Sequence, residues 1–117
     1  MNAWVLDWLR AFALTVAVEA AVAVPLLARA EPRIARRLAA VLVVNLATHP
    51  LVWFLFPGVA ARYAVRLALS EAWALGAETG AYWVVWPTLG PRRAFTTSLL
   101  ANAASFLVGL LVTPLGR

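Results

Sequence analysis

The chain has 117 residues, 64% hydrophobic and 13% charged, a balance that excludes an ordinary soluble domain. Its 10 basic residues, all arginine, outnumber 5 acids for a net charge of +5, but they sit in short segments between apolar runs, so no basic face for nucleic acid forms. Cysteine is absent, which removes disulfides, thiolate metal sites, thiol catalysis and haem attachment through cysteine.

What remains is a multi-pass membrane protein with the lipid bilayer as its first partner. The first apolar segment covers about residues 3–28. Trp4 and Trp8 at its start suit an interfacial aromatic belt, and Glu19 lies inside it. Asp7 and Arg10 within its first turns, and the apolar runs that follow, predict a retained span rather than a cleaved leader. Pro25 falls in its last turns, where a kink is tolerated. The loop from Arg29 to Arg37 carries Arg33, Arg36 and Glu31 as well, and Pro32 suits the start of a helix.

The second span, about 38–56, has no charged residue, yet the stretch Asn45-Leu46-Ala47-Thr48-His49-Pro50 lies near its middle. Trp53, Phe54 and Phe56 close it before a Pro57-Gly58 turn. The third, about 59–86, opens with Arg62 and Arg66, which are expected to snorkel, holds Glu71 and Glu78, and ends in Trp83 and Trp86. Pro87, Gly90 and Pro91 then break the chain. After Arg92 and Arg93 the fourth span covers about 94–112, with Pro114 and Gly116 at its exit.

The predicted fold is therefore all-α: one domain over 1–117, four antiparallel transmembrane helices in a compact bundle joined by short loops. Arg29, Arg33, Arg36, Arg37, Arg92 and Arg93 fall at one end and Arg10, Arg62, Arg66 and Arg117 at the other. That asymmetry predicts both termini outside a bacterial-type inner membrane. The basic loop should also meet anionic lipid.

Each span carries one polar stripe. Thr15 and Glu19 are four apart, as are Asn45 and His49, with Thr48 beside them. Glu71 and Glu78 are seven apart, and Tyr82 continues their face. Ser98, Asn102, Ser105 and Gly109 form a narrow small and polar face. A charged side chain at the bilayer centre costs about 2.5–3.5 kcal/mol on insertion scales, so three acids at depth are expected to face the bundle interior and converge. Plain packing accounts stand beside this. Asn102 and its serines can be helix-packing glue, His49 can satisfy a carbonyl freed by Pro50 or bond a neighbouring helix, and Thr48 can bond its own helix. Glu19, Glu71 and Glu78 have no such inexpensive structural explanation.

Three functions fit. The first is proton- or cation-linked transport by an oligomer, with Glu19, Glu71, Glu78, Asn45, His49, Tyr82 and Asn102 as the binding residues. In size, four-span layout and Glu19 in the first span, the chain resembles the small multidrug resistance transporters, and departs from them in Glu71, Glu78 and His49. The second is an intramembrane divalent-metal site of His49, Glu19, Glu71 and Glu78, used to carry the metal or to activate water for hydrolysis. No His-Glu-x-x-His motif and no second histidine support it. The third is a non-catalytic subunit of a larger membrane complex. Nucleophilic triads, phosphate loops and dinucleotide fingerprints are absent, so soluble-type enzymology is not expected.

Overall fold

The first helix begins where the sequence offers an N-cap: the side chain of Asn2 accepts a hydrogen bond from the Val5 N–H at 2.9 Å. A computed structural model describes residues 2–55, 58 and 62–112. Within them lie four long helices and no strand. These are α1 (Ala3–Leu26), α2 (Ile34–Pro50), α3 (Tyr63–Val85) and α4 (Gly90–Val112). Pro50 cannot donate to the helical ladder, and α2 continues past it as a π-helical turn, Leu51–Leu55. A short 3-10 turn, Pro87–Leu89, leads into Gly90, whose φ of 80° only glycine adopts readily.

Successive helices run antiparallel. α1 packs on α2 and most closely on α4, α3 packs on α4, and α2 touches α3 less extensively. The four thus close a ring in chain order, with α1 and α3 on opposite sides of its axis. The molecule measures 41 × 24 × 24 Å. Its long axis matches a bilayer of about 40–45 Å including headgroups. Leu111 is 87% and Val84 78% exposed, whereas Glu19 and Glu78 are each 1% exposed. Apolar outside and polar inside is the arrangement lipid demands, since nothing in hydrocarbon can satisfy a buried acid.

Three of the helices are long and apolar enough to cross a membrane: α1, α2 with its π-helical continuation, and α4 with the preceding turn. The expected third span is the exception. α3 has 23 residues but is diluted by Arg66, Ser70, Glu71, Glu78 and Thr79, so it falls short on apolarity rather than length. The other boundaries also differ. α1 ends at Leu26 rather than 28, and α2 starts at Ile34, close to the start that Pro32 suits and ahead of the span expected from 38, because the arginines of the loop form its first turn. α4 starts at Gly90 rather than 94, for the same reason. The positions of Phe56, Pro57, Pro114, Gly116 and Arg117 lie outside the described residues.

The loop between α1 and α2 is built by its charges. The Arg37 guanidinium donates to the Val24 carbonyl at 2.6 Å, capping the end of α1 that Pro25 helps to terminate. Glu31 accepts the Arg33 N–H at 3.2 Å and lies 3.6 Å from the Arg36 guanidinium. The backbone bond from Arg33 first, then Arg36 and the Trp86 indole, outweigh burial and hold the Glu31 carboxyl below its ordinary value of 4.5.

Small residues let α1 and α4 approach: Ala23 on one, and Ala94, Ser98 and Ala101 on the other, are no more than 1% exposed. Ala101→Leu is therefore expected to destabilise the protein by about 1–3 kcal/mol. Leu111→Ala, on the lipid-facing surface, should stay within about 0.5 kcal/mol of the parent, both measured by reversible unfolding in detergent. A carboxyl held low in the fold stabilises it above the ordinary value and ceases to do so as pH falls through the lower one. Glu31→Gln should thus be less stable than the parent at neutral pH, and the difference should close as the solution is taken below pH 4.5.

Candidate functional site

Glu19 on α1 and Glu78 on α3 project to the bundle axis from opposite sides, which is why two acids distant in sequence meet there. The Glu19 carboxyl is flanked by Glu78 and by Asn45 of α2. Glu78 is held from α4: its Oε2 accepts from the Asn102 amide and lies 3.5 Å from the Ser98 hydroxyl. Ser98 also reaches the Leu75 carbonyl at 3.2 Å, and the Asn102 amide donates to the Ser98 carbonyl at 2.8 Å. Each of the four helices thus contributes to the pair. Tyr82, 1% exposed, sits one turn beyond Glu78 and stacks on Trp86 at 6.3 Å.

The opposite carboxylate oxygens carry no such support. Glu19 Oε2, Glu78 Oε1 and the Tyr82 hydroxyl are buried without a hydrogen-bond partner among the described residues. Two carboxylates side by side in a low-dielectric interior repel, and either a proton shared between them or a cation held by both relieves the repulsion. That is the chemistry the arrangement is suited to.

Beside the pair lies a cavity of about 120 Å³. Thr15 and Glu19, Asn45, Thr48 and His49, Ser70 and Glu71, and Asn102 and Ser105 line it, so all four helices contribute polar groups. Of the residues predicted to converge, Glu19, Glu71, Asn45, His49 and Asn102 face this volume. Glu78 and Tyr82 do not line it, and Glu78 meets it through its bond from Asn102. Drug-sized ligands occupy pockets of about 300–1,000 Å³, so this one suits waters or a small cation instead.

His49 is engaged at both ring nitrogens by α1. The Trp8 indole donates to Nδ1 at 3.0 Å, and Thr15 Oγ1 lies 3.5 Å from Nε2. With Nδ1 accepting, the ring proton is assigned to Nε2, pointing at Thr15. Phe12 meets the ring edge-on at 5.6 Å and Trp53 stacks on it at 6.4 Å, while Trp4 packs on Trp53 at 4.9 Å. Trp8, expected from the sequence to sit in an interfacial belt, also serves as a hydrogen-bond partner of His49. Thr48 donates to Val44 of its own helix at 2.9 Å and Asn45 to Val41 at 2.8 Å, the back-bonding expected of Thr48.

The expected metal shell does not assemble. Among the described residues no group of three or more histidine and acidic side chains is placed to hold one ion. Glu71 and Glu78 are seven residues apart, about 10 Å along the axis, and Glu78 is turned toward Asn102 of α4. His49 in turn has both nitrogens committed to α1.

The role of Asn102 is testable. Asn102→Ala removes the donor that satisfies a buried carboxyl oxygen and should cost about 1–3 kcal/mol of stability. In the double variant Asn102→Ala/Glu78→Leu, the combined loss should be smaller than the sum of the single losses, because the orphaned oxygen is gone. Denaturant unfolding of the four proteins in one detergent provides the cycle. Against protein-family models, curated proteins and solved structures the chain has no match.

Proposed function

We propose that this small polytopic membrane protein moves protons, or a small cation coupled to them, across the bilayer through the Glu19–Glu78 pair, working as an oligomer. The observation that carries this reading is the meeting of two acids, each 1% exposed, on opposite helices of the bundle, with one oxygen of each lacking a partner. A proton or cation moving on and off the pair changes its charge, and the adjoining polar cavity of about 120 Å³ offers a place for water or ion beside it. The size of that cavity favours an inorganic cation or proton over an organic substrate within one protomer. It also favours assembly, because one bundle encloses little volume.

In this reading α3 crosses the membrane with the other helices, its acids sheltered by α4 and α2. Both termini face outward from a bacterial-type inner membrane, with Arg29, Arg33, Arg36, Arg37, Arg92 and Arg93 at the inner end.

Reconstitution tests the proposal. Purified protein in liposomes enclosing a pH-sensitive dye, with a potassium diffusion potential imposed, should conduct protons faster than protein-free vesicles. Glu19→Gln and Glu78→Gln should each return the flux to the protein-free level while eluting like the parent in detergent. Flux equal to that of empty vesicles for the parent, or undiminished in both variants, ends the reading.

A further inference from the structure

A second volume lies at the end of the bundle where α1 stops and α4 starts. This cleft, about 610 Å³, is bounded by the last turn of α1, the Pro87–Leu89 turn and the first two turns of α4. Arg29, Arg92 and Arg93 line it. Among the described residues none of the three pairs with a carboxylate. Glu31, the acid of this end, is engaged by Arg33 and Arg36, and Asp7 is with Arg10. Three guanidinium groups thus border one volume without a counter-charge.

A further observation points into the same space. Thr97, four residues after Arg93 on the same face of α4, is 4% exposed, lines the cleft and makes no hydrogen bond among the described residues. Its neighbour Thr96, by contrast, donates to the Arg92 carbonyl at 2.9 Å. Guanidinium groups present paired N–H donors that match the oxygens of a phosphate.

We propose that this cleft binds a phosphate-bearing anion, with Arg29, Arg92 and Arg93 gripping its oxygens and the Thr97 hydroxyl donating to one of them. An anionic phospholipid headgroup and a soluble phosphate present the same group. Leu26 and Leu89 in the wall, beside the apolar sides of α1 and α4, suit the lipid.

Native mass spectrometry of the detergent-purified protein, titrated with phosphatidylglycerol and separately with phosphatidylcholine, is paired with calorimetric titration by inorganic phosphate. Saturable binding of phosphatidylglycerol over phosphatidylcholine is expected if the source is lipid, and saturable binding of inorganic phosphate if it is soluble. Arg92→Gln/Arg93→Gln should weaken that binding about tenfold or more. Thr97→Val, which leaves the net charge unchanged and decides the matter if the double variant does not fold, should weaken it several-fold. Arg33→Gln, at the same end but outside the cleft, should leave it within about twofold. The proposal is overturned if neither probe binds saturably, if phosphatidylcholine binds as well as phosphatidylglycerol while phosphate does not bind, if Thr97→Val binds like the parent, or if Arg33→Gln weakens binding as much as the double variant.

Discussion

The burial of Glu19 against Glu78 is the constraint that the rest of the bundle accommodates. Each acid has to be kept from lipid, so α1 and α3 turn the faces that carry them inward across the axis. α4 then supplies Asn102 and Ser98 to one carboxyl, and α2 brings Asn45 beside the other. Remove these polar partners and the pair would sit in a medium where an unsatisfied ion costs several kcal/mol. The helices are otherwise held by close packing of small residues, as expected where lipid tails are as apolar as leucine and burial of apolar surface drives little. Ala23, Ala94 and Ala101 permit that approach.

The two ends of the molecule are organised differently. At the end where α1 starts, contacts are aromatic: Trp8, Phe12 and Trp53 touch His49, Trp4 packs on Trp53 and Phe54 on Trp8, and together they join α1 to the π-helical turn after Pro50. At the other end they are ionic and peptide-directed, with Arg37 capping α1 and Glu31 folding the loop around the Arg33 N–H. The polar cavity lies between these ends, bounded by the aromatic cluster through His49. His49 thereby links the aromatic cluster to the acidic interior, a placement that fits the proposed movement of protons without making the imidazole a ligand.

Much of this was legible in the sequence, for a physical reason. A carboxyl in a run of leucine, valine and alanine can only face inward, so the depth of Glu19 and Glu78 was enough to predict that they meet. The four-residue spacing of Asn45 and His49 likewise placed both on the cavity wall. What was hidden depended on tertiary context. Trp8 stands at a helix start where tryptophan commonly marks the membrane interface, and only the antiparallel docking of α2 brings His49 to its indole. Asn102 is legible as a candidate partner of the acids, whereas Ser98 reads as a packing residue because nothing in its own helix reveals that Glu78 faces it. α2 starts at Ile34, close to the helix start that Pro32 suits, and both α2 and α4 begin with arginines ahead of their apolar spans, because a first turn at the interface tolerates them. Among the described residues no group of three or more histidine and acidic side chains gathers around one point, and Glu78, two turns from Glu71, turns to Asn102 instead.

Whether Glu19 and Glu78 act as one coupled pair is read directly by infrared titration of the carboxylic-acid C=O band. Interacting sites titrate together, so the pair should lose its protons in two separated steps in the parent protein, and Glu19→Gln or Glu78→Gln should each leave a single step at a different pH. If the surviving carboxyl in each variant instead titrates as it does in the parent, the two acids do not interact and the site is not as described.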